Sequence, residues 1–381
     1  MSEFQASNFK KENGGTPDLL GKTELTSPYF FVPPSGTTAE RPQSCAPGTL
    51  RFNTDIGSLE VYRGDTIGWE QIQRRESQYL GGGTGSNTGV GVRGLFAGGF
   101  ISPTGTARTN IIDYITISTL GNAQDFGDRT HSSDTCAGAA SATRGVIAGG
   151  YAGSETDVIE FVTISSLGDA LDFGDLPSNR RNRDGCGDSV RGLFGGGYPQ
   201  SAQIDYITFA SLGNAIDFGD LTQTRYNSGA LSSSTRAVFA GGDASPTSPV
   251  SNVIDFVTIR TTGNATDFGD LTGTGTGGFS GTSNSTRGLI GISNSNSIEF
   301  ITIATTGNAQ DFGDATYNLG SHAAAGSPTR AVFAGGGASP APLTNSMDFV
   351  EILTTGNGLD FGDLTDGRQS LAGFSNGHGG L

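Results

Sequence analysis

The amino-acid sequence predicts an all-β protein. Its main body is a six-bladed β-propeller with four strands per blade and a ring completed by the C-terminal strand. An extended N-terminal arm and a small β-module precede it. Three observations lead there. Three short motifs each occur six times, always in the same order and at spacings of 43 to 51 residues, a period that marks solenoids, arrays or propellers. The motifs are β-branched and aromatic runs bounded by Gly, Asn, Ser and Thr, as buried strands are, and no segment carries a helical period. Residues 364–381 repeat the stretch that leads into each motif arginine, and stop where a seventh arginine would fall.

Taken in chain order, residues 1–46 are polar and contain Pro33, Pro34 and Pro42. They read as an extended arm with too little apolar surface to fold alone, of the kind that orders on a neighbouring subunit. Phe30 and Phe31 are its candidate anchoring side chains. Residues 47–75 contain GTLRFNTDIGSLEVYRGDTIGWEQI, which reads as a three-stranded module with turns at 55–57 and 64–68. Arg51, Tyr62 and Trp69 are its candidate contacts with a partner. Residues 76–92 form a Gly/Ser-rich linker, and 93–381 form the propeller.

Within the propeller the first motif is an arginine, an apolar run and usually Gly-Gly, beginning at Arg93, Arg144, Arg191, Arg236, Arg287 and Arg330. The second is IDYITI and its variants, beginning at residues 112, 159, 204, 254, 298 and 347. The third is G-[ND]-[AG]-x-D-F-G-D, beginning at Gly121, Gly168, Gly213, Gly263, Gly307 and Gly356. With the Ser/Ala/Gly-rich stretch before each arginine, these make four strands per repeat. The second and third motifs always start 9 residues apart, and DFGD reaches the next arginine in 16 or 17. The distance from arginine to second motif, by contrast, runs over 19, 15, 13, 18, 11 and 17. Length variation is thus confined to one loop per blade, emerging on one face, which is how a rigid scaffold presents a binding surface. The candidate binding residues in those loops are Tyr151, Glu155, Tyr198, Gln200, Asp243, Ser245, Asn294 and Asn345. The final strand, within Leu371–Asn376, should complete the blade built from 93–128.

The 381 residues include 62 glycines and carry a formal charge of −15. All three lysines lie in the first 22 residues, and 93–381 hold 14 arginines against 27 acids. Such a body offers no phosphate-binding footprint, which argues against nucleic acid. No apolar run approaches the length of a membrane span, and no secretory signal is visible. The three cysteines have no disulfide or zinc spacing.

The acids and arginines locked to the repeat read as structural partners of one another. The acids are Asp125, Asp128, Asp172, Asp175, Asp217, Asp220, Asp267, Asp270, Asp311, Asp314, Asp360 and Asp363, together with the second-motif acids Asp113, Glu160, Asp205, Asp255, Glu299 and Asp348; the arginines are the six of the first motif. Calcium on the DFGD carboxylates is the alternative, and it needs six or more oxygens. His131, His322 and His378 occupy no repeated position and read as surface residues. Nothing points to a catalytic centre or a cofactor, because each acid in a blade has five equivalents whereas an active site is asymmetric.

An apolar strand ending in Gly-Gly, with an aromatic strand some 15 residues later and a period near 50, resembles kelch repeats. The DFGD phenylalanines stand where kelch blades carry a Trp. The near-identity of the blades, with GNAxDFGD, looks like propellers of tailed bacteriophages, and the N-terminal module resembles those of tail-fibre proteins. The resemblance implies a virion structural protein, homo-oligomeric as a trimer or higher ring. It would be attached to other virion proteins through residues 1–75, with the propeller displayed for adsorption to host-surface glycan. A capsid, neck or baseplate decoration, an intracellular kelch-type protein-binding module and, last, a glycan-cleaving enzyme are the other readings.

Overall fold

A computed structural model describes residues 34–42, 45–55, 58–65, 68–71, 92–101, 107–244, 250–275, 277–337 and 343–381. The chain divides into two compact units, 1–75 and 76–381. Among the described residues there is no α-helix.

In the N-terminal unit the strands Leu50–Asn53, Ser58–Tyr62 and Trp69–Gln71 form an antiparallel sheet. A fourth, Ser35–Gly36, adds to its edge in parallel. The expected module had three strands, and the extra one comes from the segment read as arm. It is held there because the Arg51 guanidinium donates to the Thr37 carbonyl at 2.9 Å. Arg51 also lies over Trp69, whose ring packs on Tyr62 at 5.4 Å between centroids. Arg51 and Tyr62 are therefore buried and hold the unit together, which corrects their assignment as partner contacts. On the same strand as Arg51 it is Leu50 and Phe52 that face outward, 43% and 37% exposed. Phe30 and Phe31 lie outside the described residues.

Among the described residues the second unit has six four-stranded antiparallel sheets, I to VI, with a blade-like layout that fits a propeller. Their first strands are Ala372–Ser375 in sheet I, Ala137–Ala140 in II, Asp184–Gly187 in III, Gly229–Ser232 in IV, Ser280–Ser283 in V and Ala323–Gly326 in VI. The second strands begin at the motif arginines, the third carry the IDYITI motif and the fourth carry DFGD. Sheet I joins the two ends of the unit, with Ala372–Ser375 paired to Arg93–Ala97 as the sequence predicts. The first strands lie side by side in the order II, III, IV, V, VI and I, and that of sheet I touches that of II. Small residues permit this convergence. A Cβ on Gly281 would come 2.6 Å from the Ala230 carbonyl oxygen, closer than packed atoms approach.

Neighbouring sheets are clasped by the third motif. The Gly168 amide donates to the Phe126 carbonyl, the Ala170 amide to the Asp128 carbonyl, and the Asp128 amide to the Asp169 carboxylate at 3.0 Å. Each sheet clasps the next in this way. The last clasp joins sheet VI to sheet I through Gly121 on Phe361, Ala123 on Asp363 and Asp363 on Asn122. The DFGD glycine makes room for the incoming turn, since a Cβ on Gly127 would meet the Gly168 carbonyl at 2.6 Å. Its phenylalanine is buried at 2% exposure in all six sheets.

Gly127 and Gly121 both have positive φ, 145° and 142°, but around Gly121 a Cβ would meet nothing within 4 Å. Gly121→Ala should therefore cost only the backbone strain of about 1–2 kcal/mol. Gly127→Ala should cost that plus the clasp's hydrogen bonds, about 1 kcal/mol each. Thermal unfolding of the two variants checks this, with the larger fall in Tm expected for Gly127→Ala.

Candidate functional site

The residues that repeat must be separated from those that do not, because only the latter give a site its asymmetry. Each motif arginine lies over the aromatic ring of the second motif in its own sheet, at 4.5 to 4.8 Å from the centroid. Each also donates to a backbone carbonyl of the next sheet: Arg93 to Ile164, Arg144 to Phe209, Arg191 to Ile259, Arg236 to Ile303, Arg287 to Ile352 and Arg330 to Ile117. Among the described residues none pairs with a DFGD carboxylate, and those carboxylates sit exposed or half-exposed on the fourth strands. The expected Arg–Asp pairing is thereby corrected. The arginines are spent on rings of the third strands and carbonyls just beyond them, and Arg330 also pairs with Glu351 at 2.8 Å.

Buried ion pairs do exist, formed by the second-motif acids with arginines that lead from one sheet into the next. They are Arg129–Glu160 and Arg225–Asp255 at 2.7 Å, Arg183–Asp205 at 2.6 Å and Arg368–Asp113 at 2.5 Å. A β-bulge falls at the acid in every sheet, and bulges re-aim a side chain in this way. Sheets V and VI lack the arginine. Glu299 accepts from the amides of Thr272 and Gly273 and the Thr272 hydroxyl, as Glu160, Asp255 and Asp113 also accept from Thr130, Thr222 and Thr365 beside their arginines. Asp348 accepts from Thr316, while the Tyr317 hydroxyl lies 3.1 and 3.0 Å from the Phe333 and Ser346 carbonyls. Those are the counterparts of carbonyls that Arg225 reaches in sheet IV.

Of the fourteen arginines after residue 92, six belong to the first motif and four to these pairs. Three of the remaining four, Arg108, Arg180 and Arg181, gather on the face of the variable loops. The fourth, Arg260, pairs with Asp188 on the opposite, tight-turn side. Arg108 and Arg181 each lie over the Tyr151 ring, at 4.5 and 4.7 Å. Arg181 also lies over Tyr198 at 4.8 Å, and Tyr198 meets Tyr226 edge to face at 5.6 Å. Carboxylates flank this ladder, Asp134 at 3.3 Å from Arg108 and Glu155 at 3.6 Å from Arg181. Asp243 closes its far end, accepting from Asn227 at 2.8 Å and exchanging backbone hydrogen bonds with Tyr226. Burial lifts the carboxyls of Asp134 and Asp243 above the ordinary range, against the pull of Arg108 on the first and Asn227 on the second.

The ladder adjoins the connections that lead into the first strands of the sheets. Thr135, Asn182, Asn227, Ser321 and Ser370 all take positive φ. The Asn182 amide donates to Thr135, Asn227 to Asn182, Thr135 to Ser370 and Ser370 to Ser321. These residues line a cavity of about 70 Å³, room for several waters at 10–15 Å³ each. At the tight-turn end the tail lies against sheets II and V. His378 Nε2 lies 2.7 Å from the Ala140 carbonyl, and the Gly379 amide donates to Ser283. His378 is therefore half-buried and bonded, and His322 is buried with its pKa pushed down by burial to about 4. Both correct the expectation of surface histidines. Among the described residues no three His, Cys, Asp or Glu gather as a metal would need.

Of the candidate loop residues, the structure brings Tyr151, Glu155, Tyr198 and Asp243 into the ladder. Gln200 follows Tyr198 without joining it, Asn294 and Asn345 lie in loops of sheets V and VI, and Ser245 lies outside the described residues. Sequence reasoning missed Arg108, Arg181, Tyr226 and Asp134. The available signal was subtractive, since these arginines belong to no repeated position.

Glu160 provides a pH test of the framework. Burial raises its pKa, but His131, Arg129 and Thr130 outweigh that and hold it at about 2. A carboxylate with a lowered folded pKa stabilises above its unfolded value, near 4.5, and loses that contribution as pH falls towards 2. Glu160→Gln should be less stable at pH 7 by about 3–5 kcal/mol, because Arg129 is left unpaired. Its loss of Tm between pH 4.5 and 2 should be shallower than in the unsubstituted protein, as acid titration by circular dichroism would measure.

Compared with known proteins, the chain matches no family model and no curated protein.

Proposed function

We propose that residues 93–381 form a closed six-bladed, kelch-like propeller that binds a glycan on its loop face without catalysis. We propose further that the protein is a structural component of a tailed-phage virion, a homo-oligomeric tail or fibre-type appendage adsorbing to the host surface. The clasp between sheets VI and I and the pairing of Ala372–Ser375 with Arg93–Ala97 support closure. One observation carries the binding reading: the tyrosine–arginine ladder of Arg108, Tyr151, Arg181, Tyr198 and Tyr226. It breaks the sixfold repeat and lies on the face where loop length varies. Tyrosine combines apolar contact area with a polar tip, and the hydroxyls of these three form no hydrogen bond with any described residue, leaving them for sugar hydroxyls. The exposed pair Leu50 and Phe52, with residues 1–33, is the proposed attachment to other virion proteins.

Tyr198→Ala should weaken retention of the full-length protein on surface polysaccharide about tenfold or more, the scale of one well-used aromatic contact, with little change in Tm. Binding that is unaltered by this change, or absent from every polysaccharide tried, would remove the glycan reading. Antibody labelling of intact particles tests the virion assignment separately, and unlabelled particles would sink it.

A further inference from the structure

We infer that the ligand of the loop-face ladder is an acidic glycan whose carboxylates bind Arg108 and Arg181; this rests on the glycan reading above. The protein after residue 92 is strongly acidic, 27 acids against 14 arginines, and the repeat consumes ten of those arginines in rings, carbonyls and buried pairs. Three of the other four converge beside one another on the loop face, which concentrates positive charge at one place on an otherwise acidic body. Arg180 is satisfied there, donating to Ser178 and to the Pro199 carbonyl at 2.9 and 3.0 Å. Arg108 and Arg181 turn only Nε toward a carboxylate, Asp134 at 3.3 Å and Glu155 at 3.6 Å, and their terminal guanidinium nitrogens form no hydrogen bond with a described residue.

Stacking explains how they stay in place. Tyr151 lies against both guanidiniums and Tyr198 against that of Arg181. Stacking uses the flat faces and leaves the in-plane N–H donors, which match a carboxylate bidentately. The two side chains retain 24% and 31% exposure, so an incoming carboxylate can reach them while the rings exclude part of the water. A neutral sugar's hydroxyls could accept from these donors but would not neutralise their charge, as a carboxylate does.

The test is titration calorimetry of the full-length protein with oligosaccharides of galacturonate, glucuronate and mannuronate, each beside its own methyl ester. The ester keeps the sugar and removes the charge. At least one acid should bind about 10- to 100-fold more tightly than its ester, the scale of a hydrogen bond to a charged group. That advantage should shrink as salt is raised. R108Q and R181Q should each remove most of it. Because the acid–ester comparison needs no substitution, it decides the matter even if a variant folds poorly. An ester that binds as tightly as its acid overturns the inference and leaves the glycan reading standing, whereas failure of every acid and every ester overturns both.

Discussion

The turn Gly-Asn-Ala of one sheet fits onto the DFGD strand of the sheet before it, and the rest of the repeat is arranged to let it do so. Two backbone amides and one side-chain oxygen are engaged at each junction. The fourth strands would otherwise present an open hydrogen-bonding edge, a standing invitation to mispairing. The DFGD glycine leaves space for the turn, the DFGD phenylalanine anchors the strand from inside, and the second-motif ring packs on it edge to face at 5.8 to 6.1 Å. The motif arginine covers that ring and reaches across to the next sheet. Strand, ring and cation therefore form one continuous stack per sheet, tied to its neighbour at two heights.

This framework is nearly sixfold, and its departures carry the meaning. A threonine donates to the second-motif acid in sheets I, II and IV beside the crossover arginine, and sheets V and VI keep that threonine without the arginine. In sheet VI the Tyr317 hydroxyl takes over the carbonyls, without a buried charge to neutralise. On the loop face the asymmetry is of another kind. Arg108, Tyr151, Arg181, Tyr198 and Tyr226 contact one another rather than the framework, so they can change without disturbing the clasps.

Much of the architecture was legible in the sequence, because a repeat declares itself by recurrence. The strand positions, the loop that absorbs length variation and the pairing of Ala372–Ser375 with Arg93–Ala97 follow from spacing alone. Partners across the junction were not legible. Opposite charges at fixed offsets suggested that Arg144 and its equivalents meet DFGD carboxylates, yet spacing says nothing about which end of a strand a side chain occupies, and a ring and a carbonyl lay nearer. Arg51 and Tyr62 were misplaced for a related reason, since the segment that covers them, Ser35–Gly36, looks featureless by itself. The ladder was half visible. Tyr151 and Tyr198 follow Gly-Gly in their repeats, but Arg108, Arg181 and Tyr226 come from connections that meet only once neighbouring sheets are docked.

Amide hydrogen exchange at Gly121 and Ala123 bears most directly on whether the six sheets close on themselves. These amides donate to Phe361 and Asp363 across the junction of sheets VI and I. Closure requires that they exchange as slowly as Gly168 and Ala170 at the junction of I and II, and that all four become fast together when residues 372–381 are deleted. Rapid exchange at Gly121 and Ala123 in the intact protein, with Gly168 and Ala170 protected, would contradict a closed ring and leave an open array of sheets.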